Sequence, residues 1–515
     1  MFLLIVMLAF PLLRSQPMAK RFFITANGAS VGSCQNDVRT PAWFNDPGNW
    51  GQGSNQIGPG TMVLICGAFV DSTPGDFLLR VGGSGASGNP ITLLFDTNAS
   101  LTNTAYWGQA ALSAGAIFIG DQSWIVVDGG TNGLIQNTGN GTGLAYEHAS
   151  TAIGVLGGTN IVIKNMTLAN ICQHTLFSDS AGCVTGGTSD SAITLIGGNH
   201  ITVQNNTIHD SQTGVYMNAD PVAVNLLVTG NTIYRCNWGV GIGIAVSGTA
   251  SAITISKNDI ADTYNWDSAA DTFHHNGIMV FDNASLANSF SGVIETANYI
   301  HGDFGLNNTA WIFNDDNSGL MSGFYIFNNA LINGNSAHKV NNCYITGYGS
   351  QSFILNNTVL GPGIGICSTV SAPFSGLSGT IENNLMSTET AFISVVSPIT
   401  AIDYNQYMSL TPTGCVPYLW GGGPCYGQST FAAWKTACGC DAHSAYHAAN
   451  TVTANGTLKA GSPAIRAGVN LTSLGIAGLN VDANGMARPA TGAWDVGAYQ
   501  TPTPPPPTNL RGVAR

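Results

Sequence analysis

A short phrase repeats between Ile161 and Leu385, and it constrains the fold more than any other feature of the sequence. The phrase is two β-forming residues, a spacer, Asn, one further residue and an aliphatic residue. Its clear copies are Ile201-Thr-Val-Gln-Asn-Asn206-Thr-Ile208, Leu227-Val-Thr-Gly-Asn231-Thr-Ile233, Ile253-Thr-Ile-Ser-Lys-Asn258-Asp-Ile260, Phe324-Tyr-Ile-Phe-Asn-Asn329-Ala-Leu331 and Phe353-Ile-Leu-Asn-Asn357-Thr-Val359. From Val203 to Val228 to Ile255 the steps are 25 and then 27 residues. A fixed period in this range, with units too short to bury a face alone, predicts a solenoid.

The composition agrees with an all-β solenoid. Charged residues are only 8% of the 515 residues, against about 25% in an average soluble protein. The hydrophobic content of 44% argues against disorder, and the 65 glycines suit the many turns of stacked coils.

The charge balance limits the partners. The net charge is −12, and between Asp121 and Asp403 there are four basic residues: Lys164, Arg235, Lys257 and Lys339. Such a surface cannot neutralise many phosphates, so we expect no nucleic-acid binding. It also suits polyanionic sugars poorly unless a bound cation assists.

The period divides the chain into five segments. It begins clearly at Asp121 and fades after about Asp403, while a polyproline stretch follows residue 500. The predicted segments are a signal peptide (1–17), an N-terminal cap with irregular first coils (18–120), a regular parallel β-helix (121–405), a Cys-containing C-terminal closing region (406–500) and a Pro-rich tail (501–515).

The N-terminus and the cysteines favour secretion. Met1–Leu13 is an apolar run of signal-peptide length, shorter than the roughly 20 residues of a membrane span, and nothing later predicts a span. Eleven cysteines suit an oxidising compartment. The plausible disulfides by sequence proximity are Cys34 with Cys66, Cys172 with Cys183, and Cys415 with Cys425, and Cys438 and Cys440 could join the last group. A zinc site of Cys438, Cys440, His443 and His447 is a less favoured alternative.

The repeat, the entry strand Trp124-Ile-Val-Val-Asp128-Gly-Gly and the ending Trp494-Asp-Val-Gly-Ala-Tyr499 resemble the secreted bacterial right-handed parallel β-helix proteins of the pectate-lyase-like superfamily. The resemblance covers about residues 22–500. It implies a single right-handed parallel β-helix with an N-terminal cap, and an extracellular location. It leaves the reaction open, because that superfamily contains lyases, glycoside hydrolases, epimerases and non-catalytic proteins.

Aligning the coils predicts which side chains are neighbours. Two residues after the closing aliphatic of successive coils stand Asp210, Arg235 and Asp262, and the next coil carries His301 and Asp303. The spacing places an Arg between two carboxylates, either as an inter-coil salt ladder or as a group held toward substrate.

The longest insertion enters the same region, and insertions in solenoids often form the binding face. It contains Asp271, His274 and His275 before the strand Asn276–Phe281. Two adjacent His residues at a strand edge point to opposite sides, so we expect at most one of them to face a groove.

Aromatic residues of the same region suggest a sugar-stacking platform. Aligning Phe313 with Phe281 places Trp311 beside Met279, with Ile278 and Val280 pointing inward. We therefore predict that Trp311 points outward, with Tyr216 on the same face.

Three chemistries remain open. A glycoside hydrolase needs two carboxylates about 5–10 Å apart, for which Asp303 with Asp315 or Asp316 are candidates. A polysaccharide lyase needs a base, such as His274, His275 or Lys257, and a neutralising cation, Arg235 or Ca²⁺ bound by aspartates. The third alternative is a non-catalytic secreted glycan-binding solenoid.

The sequence therefore predicts an extracellular protein that binds and cleaves a polysaccharide. The catalytic candidates are His274, His275, Asp271, Asp303, Asp315 and Arg235. The substrate-binding candidates are Trp311, His301, Tyr216 and Lys257. No cofactor is firmly expected, and Ca²⁺ held by Asp303, Asp315 and Asp316 is the one that the residues suggest.

Overall fold

A computed structural model of the chain describes residues 20–108, 114–174, 183, 191–243, 248–263, 274–282, 289–315, 321–341, 343–347, 350–368, 378–388, 391–395, 401–409, 419–420 and 431–502. The described residues form a parallel β-helix with few helical turns.

The strands follow each other closely along the chain. The first twelve are β1 (Arg21–Ile24), β2 (Val38–Arg39), β3 (Met62–Ile65), β4 (Ala68–Asp71), β5 (Leu79–Arg80), β6 (Ile91–Phe95), β7 (Ser100–Asn103), β8 (Ile117–Phe118), β9 (Ile125–Asp128), β10 (Leu134–Asn137), β11 (Thr151–Leu156) and β12 (Thr159–Lys164). The next twelve are β13 (Thr167–Ala169), β14 (Ser191–Gln204), β15 (Thr207–Thr229), β16 (Thr232–Gly243), β17 (Thr249–Ser256), β18 (Asp259–Ala261), β19 (Asn276–Phe281), β20 (Ser289–Thr296), β21 (Tyr299–Gly302), β22 (Ala310–Asp315), β23 (Ser322–Phe327) and β24 (Ala330–Asn333). The others are β25 (Cys343–Thr346), β26 (Ser350–Leu355), β27 (Thr358–Gly361), β28 (Ile364–Ser368), β29 (Ser378–Glu382), β30 (Leu385–Thr388), β31 (Ala391–Val395), β32 (Ala401–Asp403), β33 (Gln406–Ser409), β34 (Leu419–Trp420) and β35 (Ala445–His447).

These strands stack into three parallel sheets, which we name A, B and C. Each coil passes through A, then B, then C, and each strand pairs with its counterpart in the next coil. Sheet A runs through β12, β17, β20, β23 and β26; sheet B through β13, β18, β21, β24 and β27; and sheet C through β8, β11, β19, β22 and β25. The long strands β14, β15 and β16 turn a corner and contribute to two or three sheets.

A buried asparagine ladder joins the coils at the turn from sheet A to sheet B. At every step the main-chain N–H and the side-chain Nδ2 of one Asn both donate to Oδ1 of the next, as from Asn206 to Asn231, where both distances are 3.0 Å. The second Nδ2 hydrogen donates to a main-chain carbonyl of the preceding coil. The members of the asparagine ladder are Asn206, Asn231, Asn258, Asn298, Asn329, Asn357, Asn384 and Asn405. The repeated Asn of the sequence is this ladder.

The spacer of the repeat also has a structural role. The residue before each ladder Asn adopts a left-handed backbone, for example Asn205 with φ 56° and Asn356 with φ 52°. Asn tolerates this conformation better than most residues, which explains the Asn-Asn pairs of the repeat. Lys257 occupies the same position, with φ 55°.

The N-terminal end of the solenoid is covered by a short helix. The helix α1 (Pro41–Asn45) begins after Thr40, whose hydroxyl accepts from the main-chain N–H of Trp43, and it carries proline in its first turn. It buries Phe44 against Trp50, with ring centroids 4.9 Å apart, and Trp43 lies 5.1 Å from Phe22 of β1. A 3-10 turn (Pro47–Asn49) follows the helix. These aromatic rings cover apolar side chains of the first coil that would otherwise be exposed.

The C-terminal end of the asparagine ladder rests on a buried aspartate. Asp441 follows the helix α2 (Phe431–Cys438), and its carboxyl accepts from Asn405, Trp434, Tyr407 and Ser444. Burial raises the pKa of Asp441 above its ordinary value, although the four hydrogen bonds oppose this.

Beyond the last coil, residues 450–500 run back along the outside of the solenoid; we call this segment the strap. A 3-10 turn (Thr472–Leu474) interrupts it. Trp494 packs with Phe327 and Leu355, and Ala464, Val496 and Ala498 pack with residues of sheet B. The buried Arg488 donates to Asn328 Oδ1 at 2.8 Å. The strap is therefore anchored to the turns that carry the asparagine ladder.

Four disulfides are formed among the described residues. They are Cys34–Cys66, Cys172–Cys183, Cys343–Cys367 and Cys438–Cys440. The first two were predicted, Cys343–Cys367 was not, and Cys415 and Cys425 lie outside the described residues. Cys438 and Cys440 join each other, while His443 pairs with Asp403 at 2.7 Å and His447 with Gln406 at 2.7 Å, so the alternative zinc arrangement is not formed.

One prediction from the sequence is wrong: Trp311 does not point outward. The structure pairs Met279 with Phe313 and Phe281 with Asp315, a shift of two residues from the predicted alignment. Trp311 is 0% exposed and stacks on Phe304 with ring centroids 4.0 Å apart. Trp311 is therefore a core residue. The outward position beside Met279 that was predicted for Trp311 belongs to Phe313.

Among the described residues, one carboxylic acid, Glu295, interrupts the apolar interior of sheet A. Glu295 is 0% exposed and pairs in the sheet with Ile255 on one side and Ile326 on the other. Asn314 Nδ2 donates to its Oε2 at 3.2 Å, while Glu295 Oε1 and Asn314 Oδ1 have no partner among the described residues. Burial raises the pKa of Glu295 to about 8. A protonated Glu295 can donate a hydrogen bond to Asn314 Oδ1, whereas an ionised Glu295 carboxylate cannot.

None of the described helices is both long enough and apolar enough to cross a membrane.

The raised pKa of Glu295 predicts a pH-dependent stability. Its ordinary pKa is 4.5 and its folded pKa is about 8, so its contribution is complete below pH 4.5 and is lost as the pH rises toward 8. We expect the thermal midpoint of the wild type to fall more steeply across this range than that of Glu295→Gln, measured by circular dichroism. Asp76→Asn, an exposed substitution, should follow the wild type. Parallel profiles for the wild type and Glu295→Gln would contradict this assignment.

The burial of Trp311 predicts a large difference between two tryptophans. Trp311→Ala should destabilise the chain by about 3–5 kcal/mol, because it leaves a cavity in the core. Trp238→Ala, at a partly exposed position on the outside of sheet C, should cost much less. Denaturant unfolding of both variants tests the assignment, and equal losses would refute it.

Candidate functional site

Partly exposed aromatic rings gather on the outside of sheet C. Trp238 lies 5.9 Å from Phe281 and 5.9 Å from His274 between ring centroids, and His274 lies 5.6 Å from Phe313. We call Trp238, His274, Phe281 and Phe313 the aromatic platform. Trp238, Phe281 and Phe313 come from β16, β19 and β22, and His274 lies two residues before β19, so the members belong to three successive coils.

Two glycines make room for the platform. A Cβ at Gly241 would lie 3.0 Å from the ring of Trp238 and 3.4 Å from that of Tyr216. A Cβ at Gly243 would overlap the ring of Phe281. Both glycines lie on outward positions of β16, and side chains there would displace the rings. The platform thus depends on the sequence Gly-Val-Gly-Ile-Gly of this strand.

Hydrogen bonds fix the platform's orientation. Trp238 Nε1 donates to the main-chain oxygen of His274 at 2.7 Å. Asn276 uses its Nδ2 to donate to Thr309 and Ala310, so its Oδ1 accepts from Nδ1 of His274 at 2.6 Å. This arrangement places the proton of neutral His274 on Nδ1 and leaves Nε2 as the atom that can accept a proton.

A charged cluster lies at the turn from sheet B into sheet C. Arg235 donates from Nε to Asp210 Oδ1 at 3.1 Å and from Nη2 to Asp210 Oδ2 at 2.5 Å. His209 Nδ1 lies 2.7 Å from the same Oδ2, and the His209 ring stacks on Tyr234 at 4.8 Å. We call Asp210, Arg235 and His209 the turn cluster. Its bidentate geometry favours the salt-ladder alternative.

The turn cluster has a distinctive backbone and electrostatics. Asp210, Arg235 and Asp262 have left-handed backbones with φ 54°, 50° and 52°, so the predicted column of these residues is confirmed. Burial alone would raise the pKa of Asp210, but hydrogen bonds from His209 and Arg235 outweigh it and hold the pKa below its ordinary value. Asp210 therefore stays ionised and Arg235 has a matched partner.

A further histidine near the turn cluster was missed from the sequence. Burial lowers the pKa of His174 to about 3, while the charge of Asp210 opposes this and His275 adds to it. His174 therefore remains neutral and shares the environment of Asp210 and His275. Its position two residues after the disulfide-bonded Cys172 was the available signal.

The predicted residues divide into those near sheet C and those elsewhere. His274 lies on the outside, whereas His275 is 0% exposed and donates from Nδ1 to the main-chain oxygen of Phe304 at 2.7 Å. Tyr216 shares the outward column of Met279 and Phe313 but is only 8% exposed. Asp271 and Asp316 lie outside the described residues.

Two predicted residues, Lys257 and His301, are not part of this face. Lys257 belongs to the turn from sheet A to sheet B, one strand away from the turn cluster. His301 lies on sheet B, stacks on Tyr299 at 4.1 Å and pairs through Nε2 with Asp259 at 2.8 Å.

The carboxylate of Asp303 already has hydrogen-bond partners in its own turn and in the corresponding turn of the next coil. Its carboxylate oxygens lie 2.7 Å from His338 Nδ1 and 2.7 Å from Asn335 Nδ2. Burial alone would raise the pKa of Asp303, but the hydrogen bonds from Asn335, His338 and Gly305 lower it.

Asp303 and Asp315 belong to different parts of their coil. Asp303 directly follows β21 of sheet B, whereas Asp315 ends β22 of sheet C. The described residues contain no group of three or more His, Cys, Asp or Glu side chains that could hold a metal ion.

Asp282 is the carboxylate that lies beside Asp315 instead. Asp282 directly follows β19 and Asp315 ends β22 in the next coil, and Asp282 N donates to Asp315 O at 3.3 Å. Strands of neighbouring coils lie about 4.8 Å apart. Asp315 is the register partner of Phe281, so Asp282 lies one position further along the strand direction, and Asp282 is only 4% exposed.

The comparisons with known proteins give information about the fold of this chain. Residues 114–292 match the family described as the right handed beta helix region. No curated protein sequence matches the chain.

Several solved structures are similar in outline. The pectate lyase Pel9A is 14% identical, with 93% of this chain and 96% of that chain covered and a TM-score of 0.43. A PL6 family polysaccharide lyase from Pseudopedobacter saltans is 12% identical, with 68% and 81% covered and a TM-score of 0.38. A variant tailspike protein of E. coli bacteriophage HK620 in complex with a pentasaccharide is 12% identical, with 70% and 72% covered and a TM-score of 0.40. The family match and the three parallel sheets together identify the fold of this chain as a right-handed parallel β-helix.

Proposed function

We propose that the outside of sheet C binds a polysaccharide, with the aromatic platform as its central contact. The observation that carries the proposal is the partial exposure of three aromatic rings, Trp238, Phe281 and Phe313, on one outer face of sheet C. Aromatic rings of this kind offer an apolar face to the C–H groups of a sugar ring, while the neighbouring polar groups remain wet.

Polar groups flank the platform on both sides along the strands. His274 and the turn cluster lie where the strands begin, and Asp282 and Asp315 lie where they end. A sugar on the platform would present its hydroxyl groups to these donors and acceptors. Such a combination of ring stacking and peripheral hydrogen bonds is typical of small-molecule and glycan sites.

The charges favour a neutral glycan. The guanidinium of Arg235 is matched by Asp210, and the chain has a net charge of −12. A uronate polymer would therefore meet little unmatched positive charge at this face and would be repelled by the two aspartates.

Hydrolysis is a second candidate function, favoured by one observation. The main chains of Asp282 and Asp315 lie in successive coils, joined by the hydrogen bond from Asp282 N to Asp315 O at 3.3 Å, and a glycosidase needs two carboxyl groups about 5–10 Å apart. In this reaction one carboxylic acid protonates the leaving oxygen while the other acts as nucleophile or activates water. Glycan binding without cleavage remains the alternative, because binding needs only the platform.

Trp238→Ala should weaken glycan binding. The loss of one stacked ring costs about 1–1.5 kcal/mol, which is roughly a tenfold loss of affinity. We would measure retardation in affinity electrophoresis with xyloglucan, galactomannan and mixed-linkage β-glucan, and with polygalacturonate as the acidic comparison. Tyr325→Ala, at a partly exposed ring of another sheet, is the matched control. The proposal would be refuted if none of the three neutral polymers retarded the wild type. It would also be refuted if the wild type and Trp238→Ala were retarded equally.

Asp315→Asn and Asp282→Asn should separate cleavage from binding. If the pair is catalytic, each variant should release reducing ends at least about 100-fold more slowly than the wild type while its retardation is unchanged. No absorbance of unsaturated uronates should accompany the reaction. A wild type that binds a polymer and releases no reducing ends would eliminate the hydrolytic candidate and leave the binding proposal intact.

A further inference from the structure

A separate crevice of ≈ 290 Å³ lies between the strap and the solenoid, away from sheet C. One wall contains Tyr299 of β21 in sheet B. The opposite wall belongs to the strap and contains Asn455, Thr457, Asn484 and Tyr499. The volume is at the small end of ligand pockets, which are about 300–1,000 Å³.

Neither tyrosine hydroxyl in the crevice has a hydrogen-bond partner in the described part of the chain, so both are available to a ligand. Buried or half-buried Tyr hydroxyls usually have a hydrogen-bond partner. Burial raises the pKa of Tyr499 to about 12, and the neighbouring Tyr299 and Asp482 contribute. Burial also raises the pKa of Tyr299. Both hydroxyls therefore keep their protons and can donate as well as accept.

Amide groups from the strap add to these hydroxyls. Asn455 Oδ1 accepts from Thr453 Oγ1 at 2.6 Å, which leaves its NH2 group available. Asn484 donates its main-chain N–H to Asp482 at 2.9 Å, while its side chain has no partner among the described residues. All the side chains that line the crevice are uncharged.

Both tyrosine rings are held in place from behind. His301 stacks on Tyr299 with ring centroids 4.1 Å apart, and Asp259 fixes His301 through Nε2 at 2.8 Å. On the strap, a Cβ at Gly456 would lie 3.3 Å from Cε2 of Tyr499, so glycine permits the close approach of this turn to the ring. The walls are thus oriented before any ligand enters, which lowers the entropic cost of binding.

We propose that this strap crevice binds a single neutral sugar residue, either a free monosaccharide or the end of a glycan chain. Two phenols, two amides and a threonine hydroxyl match the alternating donors and acceptors of a sugar ring, and the aromatic faces match its C–H groups. A charged ligand would find no counter-charge in the lining. The site is independent of the aromatic platform, since it lies on sheet B and the strap.

Saturation-transfer NMR with methyl α-glucoside, methyl α-galactoside and methyl α-mannoside tests the proposal. We expect transfer from the wild type to at least one glycoside with millimolar affinity. The signal should disappear in the double variant Tyr299→Phe/Tyr499→Phe, which keeps both rings and removes both hydroxyls. It should persist in Tyr325→Phe, the matched control at another sheet, and in Trp238→Ala, which disables the platform.

Three results would overturn the strap crevice as a sugar site. These are no transfer to any of the three glycosides, undiminished transfer in the double Phe variant, and loss of the signal in Trp238→Ala, which would assign it to the platform. If the thermal midpoint of the double variant shows that it has not folded, Asn484→Ala at the exposed rim replaces it, and the expected result is a weakened signal. Failure of the sheet C proposal would leave these outcomes unaffected.

Discussion

Each coil is joined to the next by a buried amide that satisfies main-chain and side-chain hydrogen bonds together. Asn258, for example, donates its main-chain N–H and its Nδ2 to Asn298, and its other Nδ2 hydrogen to Val228 O. A buried turn would otherwise leave such groups unpaired, at a cost of about 1–3 kcal/mol each. The ladder therefore fixes the register of the coils, and that register decides which side chains share a column on the outside of the solenoid.

The outside columns produce both candidate sites. On sheet C the register places Trp238, Phe281 and Phe313 in neighbouring coils, with glycines at the outward positions that their rings overlie. On sheet B it places Tyr299 opposite the strap, whose own attachment runs through Asn328 and Asn383 beside the ladder. Rigid coils thus present side chains whose separation along the axis is a multiple of about 4.8 Å.

The sequence predicted the fold and the turn column but not the platform. The column of Asp210, Arg235 and Asp262 could be predicted because the repeat phrase precedes each member at constant spacing. The pairing of β19 with β22 could not, because insertions of different length separate them from the phrase. The alternation of inward and outward residues also fails at that corner: Trp311 and Ile312 are consecutive and both 0% exposed. Trp238 was also not predicted, because its place in sheet C depends on the same pairing. Gly241 and Gly243 in the same strand could have indicated that large rings lie over this face.

The two ends of the asparagine ladder make unequal demands on the chain. Its acceptor end, Asn206 Oδ1, is filled by the main-chain N–H of Met166, a group that every residue except proline supplies. Its donor end, at Asn405, needs acceptors that the main chain of a further coil does not provide, and Ser444 and Asp441 supply them. On the amino-terminal side the ladder can therefore end against any coil that offers a main-chain N–H. On the carboxyl side it ends only where side chains such as those of Ser444 and Asp441 meet the last asparagine.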